Sequence, residues 1–175
     1  MVSNEKETVF WTLLDNEPWK LYIAATEKGL CYVGSPDAPF AELSQWVNKH
    51  IPNSQLVEDK KALEEYETEL VDFLLGKIKE FSIPLDLRGT EFQRTVWGKL
   101  MEVPFGKGAT YTEIAERIQR PDAVRAVGTA IGSNPVLIVV PCHRMFGKHG
   151  EWRGYRGGLK MKGQLLEIEN PLHKS

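Results

Sequence analysis

The stretch that most constrains this chain is Asn134 to Arg144, which reads N-P-V-L-I-V-V-P-C-H-R. Five branched apolar residues, Val136 to Val140, stand between Pro135 and Pro141. A run so short, so rich in β-branched residues and fenced by prolines predicts a buried strand rather than a helix. At its exit stand Cys142, His143 and Arg144, and loops leaving a rigid buried element are where chemistry is commonly mounted. A cysteine in apolar surroundings is as readily a small core hydrophobe as a nucleophile. Its neighbours favour the nucleophile, because a thiol reacts as thiolate and nearby cations lower its pKa from about 8.5. In a continuing strand, however, successive side chains point to opposite faces. His143 therefore helps Cys142 only if the backbone turns, for which Pro141 is well placed, or through a bridging water. A C-x-x-C metal or redox pair is excluded, since the only other cysteine is the distant Cys31.

Charge is unevenly divided along the 175 residues, whose net charge is −2. Up to Leu87 there are 8 Lys and Arg against 16 Asp and Glu, a balance of −8; from Arg88 onward there are 14 against 8, a balance of +6. An acidic first half joined to a basic second half predicts that one face of the second half meets a polyanion. Chance segregation of solvated surface charge is the plainer alternative. At 42% hydrophobic and 26% charged, the make-up is that of an ordinary globular protein of one domain or two small ones. Met1 to Glu7 is charged and has no apolar core of a signal peptide. The longest apolar run is too short to span a bilayer, and two distant cysteines suit a reducing compartment. A soluble, cytoplasmic protein with no membrane partner is expected.

In chain order, Thr8 to Leu14, Leu21 to Ala25 and Leu30 to Val33 read as short strands, the last two joined by a turn at Glu27-Lys28-Gly29. Ala41 to His50 carries Leu43, Trp46 and Val47 at helical spacing. Lys61 to Phe81 reads as one longer amphipathic helix. Ile83 to Leu87 is a last strand or a linker. Thr90 predicts a helix N-cap with Gln93 at the capping-box position. Thr112 suits the cap of a short helix that carries Ile114, Ala115 and Ile118 and ends near Arg120-Pro121, and Pro121 the first residue of a second. On that second helix Val124, Val127 and Ile131 make an inner stripe. Asp122, Arg125, Ala126 and Thr129 share the opposite face, one long cation among small side chains. Two short helices with a tight break suggest helix-turn-helix, although a plain helical hairpin is commoner. Gly147 to Gly158 is a Gly-rich loop holding Trp152 and Tyr155, and Leu159 to Glu169 closes the chain as a helix with Leu165, Leu166 and Ile168 inside.

P-C-H-R with Asn134-Pro135 before it and Gly154-Tyr155-Arg156-Gly157-Gly158 after it resembles the O6-alkylguanine-DNA alkyltransferase family. Gly89-Thr90-Glu91-Phe92-Gln93, Val96-Trp97, Val103-Pro104-Phe105-Gly106, Tyr111, Ile114-Ala115 and Ala123-Val124-Arg125-Ala126-Val127-Gly128 match the same family in order. The likeness runs from Arg88 to Asn170, about half the chain; the first half matches only in general organisation. The fold it implies is α+β: a small N-terminal α/β domain of ribonuclease H-like type over residues 1–87, supporting a mainly helical, winged-helix-like domain with a helix-turn-helix over residues 88–175.

The resemblance implies single-turnover repair of duplex DNA by a monomer, taking the alkyl group from O6-alkylguanine, and from O4-alkylthymine, onto Cys142. It assigns His143 as the base acting through a water, Glu169 as its orienting carboxylate, and Asn134 as the link between the DNA-reading helix and the active-site segment. It gives Arg125 the place of the flipped nucleotide in the stack, with Ala126 beside it on the DNA face. Tyr111 assists rotation of the nucleotide, and Tyr155 lines the base pocket and donates to the departing guanine. No cofactor and no metal are implied, because the lesion is the alkyl donor and Cys31 is the only cysteine in the first half. Glu151-Trp152-Arg153 and Arg156 depart from the commonest family pattern, as does Asp122; a narrowed pocket or an added phosphate contact are the expected consequences of the loop changes. The competing readings are a non-catalytic, alkyltransferase-like lesion-binding protein, a type that lacks the cysteine, then a helix-turn-helix regulator and a cysteine hydrolase.

Overall fold

The computed structural model describes residues 6–171, so the first five residues of the charged start lie outside it. β1 (Glu7–Asn16) pairs antiparallel with β2 (Trp19–Thr26), β2 with β3 (Gly29–Val33), and β4 (Ser54–Glu58) runs parallel to β1. The sheet order is thus β3-β2-β1-β4. Strand alternation sends Val9, Ala24 and Tyr32 to one face, where Leu43 and Val47 of α1 (Phe40–His50) cover them. Leu14, Leu21, Ile23 and Leu30 share a second core with Leu70 and Phe73 of α2 (Glu64–Leu74) and with Val96, Trp97, Val127 and the Val136–Val140 run. Each such side chain contributes about 1.5–3 kcal/mol on burial, so the common core fastens the two halves of the chain together. With both sheet faces covered, β2 reads as a nearly unbroken apolar string. Gly29, at φ 151°, sits where the backbone of Pro84 crosses the sheet edge, and a Cβ there would lie 2.6 Å from the Pro84 carbonyl oxygen. The segment after α2 is accordingly a linker that makes one parallel bridge, Leu30 to Leu85.

Two elements of the first half differ from the sequence expectation. β4 is an edge strand with only Leu56 and Val57 to mark it, too little alternation to be read. The helix expected over Lys61 to Phe81 ends at Leu74, because Gly76 at φ 76° closes a Schellman cap: Gly76 N–H donates to Phe73 O at 3.0 Å and Lys77 N–H to Asp72 O at 2.8 Å.

The second half begins with α3 (Glu91–Leu100), whose capping box is complete: Thr90 accepts from the Gln93 amide and Gln93 from the Thr90 amide. Thr90→Ala is expected to cost about 1 kcal/mol and to lower Tm by roughly 2–4 °C in calorimetry, with no effect on melting counting against the cap. A two-stranded ribbon of β5 (Ala109–Thr110) and β6 (Met145–Phe146) brackets the helical region. α4 (Tyr111–Arg117) is capped by Thr110, whose hydroxyl accepts from Glu113 N–H at 3.1 Å, not by Thr112. It closes through Gln119 at φ 63° with Gln119 N–H to Glu116 O and Arg120 N–H to Ala115 O, both at 2.9 Å. That cap consumes Gln119 and Arg120, so Pro121 falls in the turn, and α5 (Val124–Gly132) starts three residues later than expected. Asp122 therefore lies before the helix rather than in its first turn. The two helices pack on each other and α5 packs on α3, with the Trp97 indole N–H donating to Ala130 O at 2.8 Å. α6 (Leu159–Glu169) ends the described chain. Among the described residues no helix is long and apolar enough to cross a membrane.

Val136 to Val140 is fully buried, as expected, but it is not a strand. Only Val136 makes a bridge, to Val33 at the end of β3. Beyond it the chain coils: Val139 N–H donates to Leu137 O across Ile138, which is held at φ 75°, and Cys142 N–H to Val140 O across Pro141, at φ −82° and ψ 59°. The second is an inverse γ-turn, favoured by proline; the first is the rarer γ-turn of positive φ. A β-branched residue at positive φ costs roughly 1–3 kcal/mol, a strain that persists only where the surroundings impose it.

Candidate functional site

Asn134 imposes it. A buried loop without a sheet must satisfy its backbone groups some other way, and here one side chain supplies two of the bonds. Asn134 Oδ1 accepts from Val136 N–H at 2.9 Å, and its Nδ2 donates to Val140 O at 2.9 Å, clamping both ends of the coil. The same Nδ2 lies 3.1 Å from Cys142 Sγ. Asn134 directly follows the turn that ends α5, so the exposed helix and the thiol are joined through one residue.

After Pro141 the chain makes a 3₁₀ turn, Cys142–Arg144, which removes the objection that neighbouring strand residues face apart. Cys142 is only 6% exposed. Burial raises its pKa, opposed by the Asn134 hydrogen bond and then by the charges of Arg156 and Lys162. The expectation of a ready thiolate is thus corrected: desolvation of the charged form outweighs the cations, and the resting group is a thiol that needs a base.

A base stands next to it. His143 is fully buried, and its Nε2 lies 2.6 Å from Glu169 Oε2. Burial, outweighing the carboxylate, lowers the His143 pKa, so the ring is neutral. A carboxylate only accepts, so Nε2 carries the proton and Nδ1 keeps a lone pair. That Nδ1 is buried and has no protein partner.

Glu169, on the last turn of α6, is held by more than the histidine. Arg144 grips it with two parallel bonds, Nε to Oε1 and Nη2 to Oε2, each 2.9 Å, and Gly106 N–H donates to Oε1 at 3.1 Å. Arg144 Nη1 also donates to Val103 O at 2.7 Å. Burial would raise the Glu169 pKa, but the bonds from His143 and Arg144 prevail and bring it down to about 2. The carboxylate thus orients the imidazole and is itself fixed by a planar fork.

Around this centre stand the other expected residues. Tyr111, at the start of α4, is half-buried against α5: a Cβ on Gly128 would lie 3.7 Å from its ring. Burial raises its pKa, with the negative charge of a Cys142 thiolate the next cause. Tyr155 lies in the loop over the site; its hydroxyl is enclosed without a partner, and burial pushes its pKa well above the ordinary value. Arg125, Ala126 and Thr129 are all exposed on the outer face of α5. With Thr90, Phe92 and Gln93 they line a groove of about 650 Å³. The structure therefore gathers Asn134, Cys142, His143 and Glu169 into one centre and brings Tyr111 and Tyr155 to its edge. Arg125 and Ala126 stand apart on the groove.

Three residues went unread in the sequence. In the sequence Arg144 stands only as a positive neighbour of the thiol, yet it secures Glu169. Lys162 is 1% exposed, with its Nζ donating to Met145 O at 2.6 Å beneath the rings of Phe146 and Trp152. Its signal was available: Lys162 and Glu169 interrupt the inner stripe that Met161 and Leu165 define on α6. Arg156, expected to narrow the pocket or touch phosphate, instead donates to the backbone carbonyls of Asn134, Val33 and Pro135.

The chain matches two family models, the 6-O-methylguanine DNA methyltransferase ribonuclease-like domain over residues 9–87 and the 6-O-methylguanine DNA methyltransferase DNA-binding domain over residues 91–171. It is 50% identical over 168 residues to the inducible methylated-DNA–protein-cysteine methyltransferase of Bacillus subtilis, covering 96% of this chain and 94% of that one. To the Methanosarcina mazei methylated-DNA–protein-cysteine methyltransferase it is 39% identical, covering 92% and 97%. The crystal structure of Mycobacterium tuberculosis O6-methylguanine methyltransferase superimposes with a TM-score of 0.80 at 34% identity, covering 93% of each chain. A structure of the same organism's protein in complex with DNA gives 0.78 at 34% identity, covering 94% and 93%.

Proposed function

Because this chain belongs to the 6-O-methylguanine DNA methyltransferase family, we propose that Cys142 is the residue onto which it moves the methyl group of damaged DNA. The activity is that of a methylated-DNA–protein-cysteine methyltransferase: a DNA-binding repair protein that consumes itself in one turnover. Its substrate is duplex DNA holding O6-alkylguanine, with O4-alkylthymine as a second lesion, and it works as a monomer. Residues 88–175 carry the chemistry and the DNA contact, and residues 1–87 support them.

The observation that carries this reading is a buried thiol 3.1 Å from Asn134 Nδ2, followed in sequence by a neutral histidine whose Nδ1 is free and whose Nε2 is fixed by Glu169. The nucleophile, base and orienting carboxylate follow the logic of a triad. Through a water, His143 Nδ1 takes the proton of the thiol. The sulfur then attacks the alkyl carbon as the C–O6 bond breaks, and the Tyr155 hydroxyl donates to the departing guanine. A thioether is left, with no second cysteine near to resolve it.

For the thiol to reach its target, the nucleotide must leave the stack, at a cost of a few kcal/mol that is smallest where pairing is already damaged. Arg125, long and exposed among Ala126 and Thr129, fills the gap from the minor groove, where such wedges stabilise a distorted duplex. Arg125→Ala is expected to slow repair of methylated duplex about 10-fold or more, equivalent to ~1.4 kcal/mol, and to leave reaction with free O6-alkylguanine base nearly unchanged. Equal losses on both substrates would assign Arg125 to the pocket or the fold. The reaction itself is tested with duplex carrying a labelled methyl group: the label moves to protein, at no more than one per chain. Label that stays on DNA despite tight lesion binding would establish the non-catalytic reading instead.

A further inference from the structure

Arg156 follows the pocket tyrosine directly, yet it points away from the pocket into the seam between the two halves of the chain. Its Nε donates to Asn134 O at 3.0 Å, and its Nη2 to Val33 O at 2.7 Å and Pro135 O at 3.2 Å. Its Nη1 lies 3.4 Å from Glu42 Oε1 on α1, and the guanidinium stands 5.4 Å from the centre of the Tyr32 ring. Glu42 is itself fixed, accepting from the Tyr32 hydroxyl at 2.5 Å and the Ser35 amide at 3.0 Å. The Ser35 hydroxyl returns a bond to Arg156 O at 3.3 Å.

One guanidinium thereby ties the exit of β3 and the start of α1 to two segments of the alkyl-transfer site: the Asn134-Pro135 pair that clamps the thiol coil, and the loop that presents Tyr155. A planar fork with five donors can serve three carbonyls and a carboxylate at once, which no lysine can. The contact is not one that a phosphate-binding arginine makes, because three of its bonds go to backbone carbonyls and a fourth to the Glu42 carboxylate. We propose that Arg156, held by Glu42 and Tyr32, is a positioning residue through which the N-terminal half sets the rate of alkyl transfer without setting affinity for DNA.

This rests on the reading of Cys142 as acceptor, and wild-type protein separates the two. If it moves no methyl from labelled duplex, the acceptor reading fails first. Given wild-type transfer, three quantities are measured for Arg156→Ala, Arg156→Lys and Glu42→Gln: transfer rate on methylated duplex, reaction rate with free O6-benzylguanine base, and duplex affinity in a Cys142→Ala background. Arg156→Ala is expected to slow both reactions by the same factor, about 10-fold or more as for a displaced positioning group, with duplex affinity within about 2-fold of its parent. Arg156→Lys recovers little of the loss. Glu42→Gln slows both reactions by a smaller factor, and adding it to Arg156→Ala costs nothing more, since contacting residues are not additive. Loss of duplex affinity with the free-base rate intact would overturn the proposal in favour of a phosphate contact, as would unchanged rates in Arg156→Ala. Should Arg156→Ala fail to fold, Glu42→Gln and Arg156→Lys decide, and wild-type rates in both would overturn it.

Discussion

Cys142→Ala is expected to abolish methyl transfer while leaving affinity for methylated duplex close to that of the parent. The substitution removes one buried sulfur, a loss of the order of 1 kcal/mol in packing. The coil that carries residue 142 does not depend on the thiol, since Asn134 still holds Val136 N–H and Val140 O. Arg125, Ala126 and Thr129 lie on the opposite, exposed side of α5. On the proposed reading, chemistry and DNA contact should therefore separate in this variant. In the parent protein, excess methylated duplex should lose at most one methyl per chain, and peptide mass analysis should find one added methylene on the peptide holding Cys142. Methyl found on Cys31, whose thiol burial pushes up to about 12, or turnover beyond one equivalent would defeat the mechanism. Because burial lowers the His143 pKa, the rate should also hold below the ordinary imidazole value of about 6.5 and fall only in stronger acid, where the base is protonated.

How much of this could be read from the chain depended on how local the cause was. The capping box at Thr90 and Gln93 was legible because all its atoms lie within four residues. The bounds of α6 are legible in the sequence but its buried face is not: Leu166 and Ile168 are half-buried, while Lys162 and Glu169 lie inside with Met161 and Leu165. The thiol and its neighbours stood out through their motif, and the outer face of α5 through its small residues around one arginine. The Val136–Val140 run was read correctly as buried and wrongly as a strand, because composition reports burial while the choice between sheet and coil rested on Asn134, a side chain outside the run. The apolar residues of α2 continue past Gly76, so the sequence suggests a longer helix, and only the left-handed cap shows that it has ended. Arg156 was misread for a different reason. Its partners Val33 and Glu42 are more than a hundred residues away in sequence, and nothing local to the Gly-rich loop points to them.

The thiol pKa was the expectation most changed by structure. Sequence places His143 and Arg144 beside Cys142 and suggests a cationic setting. In space Arg144 turns to Glu169, and His143 stays neutral, so neither supplies net charge to the sulfur. The site is organised to keep a thiol protonated and buried until a base acts on it. Such a group is shielded from adventitious oxidation, since susceptibility follows thiolate character and exposure. For a protein that uses its nucleophile once, that protection matters.

Glu169→Gln should have the largest combined effect of any single change in the site. Glutamine keeps the volume but removes the negative charge, leaving Arg144 buried beside a neutral amide and His143 without its acceptor geometry. Breaking a buried pair by removing one partner costs about 3–5 kcal/mol, and loss of an oriented general base costs about 10²–10⁴ in rate. Reduced stability in denaturant titration and slow transfer at neutral pH are both expected. The pH dependence supplies a sharper test. The Glu169 carboxyl falls from an ordinary value of 4.5 to about 2 in the folded protein. A depressed carboxyl pKa stabilises the fold above the unfolded value, and the contribution disappears as pH falls through the folded value. Its share, about 3 kcal/mol, should therefore be present above pH ~4.5 and lost between there and pH ~2. His143 acts in the same direction at higher pH: its folded pKa is lowered, so acid must charge a buried ring, and stability begins to decline below pH ~6.5. Wild-type protein should show both phases in acid unfolding, whereas Glu169→Gln should keep the His143 phase and lose the Glu169 phase. Superimposable acid profiles for the two proteins would show that the carboxylate is not the ionised anchor of the site, and the orientation of His143 would then need another source.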